Sequence, residues 1–260
     1  MTTVIRLPNL SAKHVDISVV MTFHHEGLLA NYALTAFERV RRAAENEGLC
    51  IQMVYVLDMP DEDTQGIVIS YSDLSDLDVI LKCDNGDLGA SRNHGIQYSS
   101  GQYIATADGD DYYSKGWLVS AYRKLYYLKR KAVVHPQYVV SFDQVHALDV
   151  LFDQSKEIYP YASLFKINPW VSTCFAERST FIECPYQETN AAKNGYGYED
   201  WHFNLEVLWR DYIHVTADDT ALYYRRKKSS LLKSTTSQGA ILRPSEFLRN
   251  PHKWAAKNAR

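Results

Sequence analysis

Short, wholly apolar runs alternate with stretches of helical periodicity through the first half of the chain. Residues 16–23 (DISVVMTF) form the first run, of the kind that buries both faces of a parallel strand, and polar His24-His25-Glu26-Gly27 ends it. Residues 28–47 carry apolar positions at helical spacing, and residues 50–57 (CIQMVYVL) form a second strand closed by Asp58 and the acidic loop Met59-Pro60-Asp61-Glu62-Asp63. That is a β-α-β unit. The pattern continues with a helix around 64–72, a weaker strand at 78–82, a loop at 83–89 and a helix at 90–99. A strand at 102–107 then runs directly into Asp108-Gly109-Asp110-Asp111. Alternating strands and helices predict an α/β fold with a central, mainly parallel sheet flanked by helices, and ligands beyond the carboxyl ends of the strands. Asp58 and the Asp108–Asp111 cluster would then share one crevice.

The second half is less regular. A helix with a basic end is expected at 115–131, a strand-pair region at 132–142, and a strand-like aromatic run at 168–176, while 145–152 is ambiguous. A loop bearing Gly and Asn at 190–197 leads into Tyr198-Glu199-Asp200-Trp201-His202, which opens an amphipathic helix to about residue 209. The expected organisation is an N-terminal extension at 1–15, one domain at 16–236 and a C-terminal tail or helical extension at 237–260.

Composition narrows the function classes. A net charge of -3 excludes nonspecific nucleic-acid binding as the main role. The 19 Tyr and 5 Trp suit sugar rings, whose apolar faces stack on aromatics, although half-buried strand and helix positions would also use them. Cys50, Cys83, Cys174 and Cys184 form no C-x-x-C pair, so reduced thiols and a cytoplasmic setting are expected. No apolar stretch approaches the ~20 residues of a membrane span, which leaves a soluble or membrane-peripheral protein.

The acidic cluster changes the picture most. Carboxylates of like charge held together at a strand end repel one another unless a cation or hydrogen-bonding ligand compensates, which points to a divalent metal. Adjacent His24 and His25 in an extended segment are expected to point apart, so they do not read as a joint metal site. Glu199 and Asp200 at a helix start would be favourable for the helix alone.

Taken in order, SVVMTFHHEG, a second strand ending in Asp, LGASRNHGI, GQYIATADGDD and a later GYEDW resemble GT-A glycosyltransferases, specifically glycosyltransferase family 2, over residues 16–234. The resemblance implies a GT-A (Rossmann-like nucleotide-binding) fold and an inverting, metal-dependent transfer from a nucleotide-diphosphate sugar, a UDP-sugar first. The acceptor would be a glycan or lipid-linked hydroxyl in bacterial surface polysaccharide synthesis, with room for peripheral contact with the cytoplasmic membrane or other glycan-assembly enzymes.

It also implies roles residue by residue. Thr22, Phe23, His24 and Glu26 would frame base and ribose, and Asp58 would accept a hydrogen bond from the base. Arg92 would lie near nucleotide and donor sugar, or hold the acidic cluster as a structural ion pair. Asp108 would contact ribose, and Asp110 or Asp111 would bind Mn²⁺ or Mg²⁺ bridging the diphosphate. Asp200 would be the base, with Glu199 its neighbour or alternate; Trp201 would wall the acceptor site, and Trp170 and Tyr198 would either stack on acceptor sugar or, as the stronger reading for each alone, pack in the core. Arg225, Lys227 and Lys228 fall in the segment that returns to the diphosphate, where many relatives carry a metal-binding His and this chain has Lys. Two other classes stand beside this one. A nucleotidyltransferase of related fold would need a Gly-rich phosphate loop that His24-His25-Glu26-Gly27 does not supply, and a noncatalytic glycan-binding module would not require both acidic motifs.

Overall fold

The computed structural model describes residues 2–8 and 14–252. The strands are β1 Thr3–Arg6, β2 Ile17–Phe23, β3 Ile51–Asp58, β4 Val79–Cys83, β5 Tyr103–Asp108, β6 Tyr112–Tyr113, β7 Ala132–Asp143, β8 Ala147–Val150, β9 Phe175–Glu177, β10 Tyr196–Gly197, β11 Ile213–Arg226 and β12 Ile241–Leu242. The helices are α1 Leu28–Asn46, α2 Glu62–Ile69, α3 Leu88–Gln97, α4 Trp117–Leu128, α5 Arg178–Glu183, α6 Ala191–Asn194, α7 Glu199–Trp209, α8 Leu231–Ser237 and α9 Glu246–Arg249. One large sheet runs β1-β4-β3-β2-β5-β9-β7-β11-β6, with β8 paired to β7. Its centre, β4-β3-β2-β5, is parallel, as expected of strands joined through helices.

Burial follows the strand period. Ile17, Val19, Met21 and Phe23 of β2 pack with Ala33, Leu34, Phe37 and Val40 of α1 and with Trp117 and Leu118 of α4. Val20, with Val54 and Val56 of β3, joins Ile96 of α3 and Phe203 and Val207 of α7 in a second cluster. Alternate residues thus serve opposite faces, giving a three-layer sandwich. A close approach holds α3 to the sheet: a Cβ on Gly95 would lie 2.4 Å from Val20 Cγ1.

Several expectations shift. The helix expected at 64–72 begins earlier, because the Asp61 side chain accepts Thr64 N–H and caps it. Asp87 caps α3 through Ala90 N–H in the same way. Within the expected N-terminal extension, Thr3–Arg6 is an edge strand antiparallel to β4. The expected strand pair at 132–142 is a single strand, parallel to β11 along its length. Pro136 does not break it because β11 bulges opposite, between Ala217 and Ala221, and the bulge fills the gap: Thr220 Oγ1 accepts Gln137 N–H at 3.2 Å and Asp219 N–H donates to Gln137 Oε1 at 2.8 Å. Of the aromatic run at 168–176, only the end is strand. The tail packs through Phe247 of α9 against Leu205 and Leu208 of α7. Residues 253–260 of the expected tail, and 1 and 9–13 of the expected extension, lie outside the described residues. No helix among the described residues is long and apolar enough to cross a membrane.

Candidate active site

The carboxyl ends of β2, β3 and β5 finish level: Thr22 is in register with Asp108 and Phe23 with Leu57. Thr22 Oγ1 faces Asp108 Oδ1 at 3.5 Å. Asp58 turns toward the loop between β4 and α3, where it accepts the N–H groups of Asn85 (2.8 Å), Gly86 (3.1 Å) and Asp87 (3.3 Å), and its carbonyl lies 2.6 Å from His24 Nδ1. His24 and His25 do not point apart: their rings stack at 3.8 Å because the strand ends at Phe23 and the backbone is no longer extended. Phe23 was expected to frame the nucleotide, but its side chain is buried beneath the acidic turn. A Cβ on Gly109 would meet Phe23 Cδ1 at 2.4 Å, so glycine lets the turn cross that ring.

The acidic turn sorts its carboxylates into different environments. Asp108 receives Arg92 at 2.8 Å and Ser172 Oγ at 3.3 Å. Asp111 is 1% exposed and accepts Arg225 N–H at 2.8 Å. Burial first, then the charges of Asp110 and Asp108, push its carboxyl well above the usual range and favour the neutral acid. Of the two acids expected to hold the metal, Asp111 is the buried one, bound to the Arg225 backbone. Arg225, expected at the diphosphate, is committed to the turn: Nε donates to the Asp110 carbonyl (3.1 Å), Nη2 to Tyr112 Oη (2.6 Å), and its guanidinium lies over Phe142. Asp110 stays partly exposed and pairs with Lys227 at 2.6 Å, with the Glu26 carboxylate near enough to act on both charges. Lys228 is exposed. The side chains at the expected metal position therefore do not fit a protein-built divalent site as they stand. Among the described residues, no group of three or more His, Cys, Asp or Glu side chains is arranged to hold a metal ion.

Arg92 joins the two acidic motifs. It is 1% exposed, donating from Nη1 to Glu199 Oε1 at 2.9 Å and from Nη2 to Asp108 Oδ1 at 2.8 Å. Of the two expectations for Arg92, the ion pair is the one the geometry displays. Glu199 is consequently buried and engaged, whereas Asp200, next along α7, is only partly buried. Burial and then the Asp200 charge raise the Glu199 carboxyl; burial also raises Asp200, against the opposing pull of Arg92. The two behave as one titrating pair.

Asp200 is oriented by residues that sequence reasoning missed. Asn204 Nδ2 donates to Asn168 Oδ1 and Asn168 Nδ2 donates to Asp200 Oδ2, both at 3.0 Å. Asn204 lies four positions after Asp200, on the same helix face, which was the one available signal. Asn93 clamps Tyr186 with a pair of backbone hydrogen bonds, setting that ring beside the Arg92 guanidinium.

The expected acceptor aromatics divide. Trp170 is 2% exposed, donates to the Phe152 carbonyl and stacks on His214 at 3.8 Å, so core packing takes it out of reach of a sugar. Trp201 is partly buried and donates to the Leu164 carbonyl. Tyr198, in the left-handed region (φ 63°) before α7, meets the edge of Trp201 and reaches Thr236.

Solved structures share this fold. S. aureus TarS 1-349 in complex with UDP-GlcNAc aligns with a TM-score of 0.62 at 15% identity, over 90% of this chain and 63% of that one. TarS 1-349 in complex with UDP aligns at 0.58 and 14% identity, over 94% and 74%. The mannosyltransferase PcManGT from Pyrobaculum calidifontis, in complex with GDP-Man and Mn²⁺, aligns at 0.57 and 11% identity, over 88% and 61%. The chain thus spans just under two thirds of the first of these, and the shared fold is that of the GT-A glycosyltransferases. No curated protein matches the chain by sequence. The model of glycosyl transferase family 2 matches residues 18–177, more than half of the sequence, and the chain belongs to that family.

Proposed function

We propose that the protein is an inverting glycosyltransferase that moves a sugar from a nucleoside-diphosphate sugar to an acceptor hydroxyl, with Asp200 as the base. The observation carrying this is the Arg92 bridge, which joins the strand-end acid Asp108 to the helix-start pair and engages Glu199 while leaving Asp200, partly buried, free of the bridge. Asp200 accepts the acceptor proton as the acceptor oxygen bonds to the anomeric carbon. The bond from that carbon to the diphosphate breaks on the opposite face, and its electron pair leaves with the nucleoside diphosphate. Thr22, His24, Glu26, Asp58 and Asp108 line the nucleotide side of the crevice in this reading, and Tyr198 and Trp201 the acceptor side.

UDP-GlcNAc, UDP and GDP-Man in structures of this fold make a uridine diphosphate sugar the first donor to try and a guanosine one the second. The family's usual setting makes a glycan or lipid-linked hydroxyl in surface polysaccharide synthesis the acceptor class. A noncatalytic module would have no use for a carboxylate oriented by the Asn204-Asn168 relay.

Slow donor hydrolysis tests this without a known acceptor. Incubated with UDP- and GDP-sugars and followed by proton NMR, the protein should release from one donor a sugar that first appears as the anomer opposite to the donor's. Release with the donor's own configuration would contradict inversion. A pH profile adds a second check. Asp200 must be ionised to take a proton, and both members of the pair are raised. Turnover should therefore climb with pH through an apparent pKa above the ordinary carboxylate range of ~4. An acid limb at the ordinary carboxylate value would remove Asp200 from the role.

A further inference from the structure

The expected metal position holds a cation belonging to the chain. Lys227 Nζ lies 2.6 Å from Asp110 Oδ2, with side chains 32% and 15% exposed, and the Glu26 carboxylate adds negative charge beside them. The lysine is anchored on both sides. Two residues earlier, Arg225 binds the acidic turn through its backbone N–H and guanidinium. Beyond it, Lys233 Nζ donates to the carbonyls of Lys227 (2.8 Å) and Lys228 (3.1 Å). A lysine that merely kept the surface soluble would be expected to extend into water, as Lys228 does.

We propose that the Lys227 ammonium is the resident cation of this site and stands in for a divalent metal, so that donor binding and transfer proceed without one. The inference rests on the glycosyltransferase reading above. Asp110 is then a positioning residue that holds Lys227 where the diphosphate arrives. As the sugar–oxygen bond breaks, the leaving β-phosphate oxygen gains negative charge, and ammonium N–H donors already in place stabilise it. No proton need move from the lysine, and the acceptor proton goes to Asp200. A single positive charge replaces a double one.

Calorimetry with UDP, GDP and dTDP, each with its parent nucleoside as control, tests this in EDTA and in Mn²⁺. The wild type should bind one diphosphate equally well in both. Lys227→Met, which keeps the aliphatic stem, should weaken that diphosphate by roughly 10–100-fold, the scale of a lost charge-assisted contact, and leave the nucleoside unchanged. Lys227→His should regain part of the affinity only when Mn²⁺ is present, because imidazole is a metal ligand. Wild-type binding that requires Mn²⁺, or Lys227→Met binding as tightly as wild type, overturns the proposal and leaves the glycosyltransferase reading standing. Failure of UDP, GDP and dTDP alike under both conditions overturns that reading and the proposal with it. Matching thermal unfolding of the variants and wild type excludes misfolding as the cause.

Discussion

Arg92→Met should lower the stability of the fold by roughly 3–5 kcal/mol, the usual cost of removing one partner from a buried ion pair. The guanidinium is almost fully buried, and burial alone would disfavour its charge; Asp108 and then Glu199 more than offset that and hold it charged. Without it, Glu199 is left buried with Asp200 beside it, and Asp108 loses its shortest hydrogen bond. A loss of this size is a large share of the 5–15 kcal/mol that holds a typical domain folded. The pH dependence follows from the direction of the Glu199 shift. Protonating Glu199 removes the uncompensated charge, so the deficit should be largest where the carboxyl is ionised and shrink as pH falls through its raised pKa. Urea unfolding at neutral and mildly acidic pH measures both effects. Arg92→Lys should recover charge but not the two-pronged geometry, and so fall between the two. An Arg92→Met midpoint equal to wild type would mean the bridge does not hold the two motifs together.

Asp200→Asn should lower turnover by about 10²–10⁴-fold, the range lost with a general base, while nucleotide affinity stays at the wild-type value. The substitution is structurally mild, since the Asn carbonyl still accepts the Asn168 N–H that orients Asp200. Glu199→Gln should behave differently. It removes a charged partner from Arg92, so stability and turnover should fall together. Steady-state kinetics with a matched unfolding curve separate the two patterns. Turnover surviving in Asp200→Asn, with loss in Glu199→Gln, would exchange the two roles.

The parallel core was legible because β2, β3 and β5 are buried along nearly their whole length and read as unbroken apolar runs. Asp61 and Asp87 mark helix starts through their caps, but competing apolar periodicity placed α2 too late. Residues 132–142 could not be read correctly alone. Whether Pro136 ends a strand depends on a bulge in β11, about eighty residues away in sequence, and local pattern holds no trace of it. DGDD and YED identify acids, but the division of labour between Glu199 and Asp200 comes from Arg92, which is 107 residues from Glu199. Trp170 could be read from sequence as a core ring or a sugar platform, because aromaticity is visible there and its packing on His214 is not. Lys227 was legible as a departure from the family's His, but only the fold shows that it rests on Asp110.

If these acids form one nucleotide-diphosphate site, as proposed, calorimetric titration of UDP, GDP, dTDP and CMP into wild type and Arg92→Lys will show it. One nucleoside diphosphate should bind the wild type at one site per chain, CMP should not, and the Arg92→Lys variant should bind that nucleotide more weakly because Asp108 is no longer held in place. Absence of binding by every nucleotide, or preference for the monophosphate, would contradict the claim.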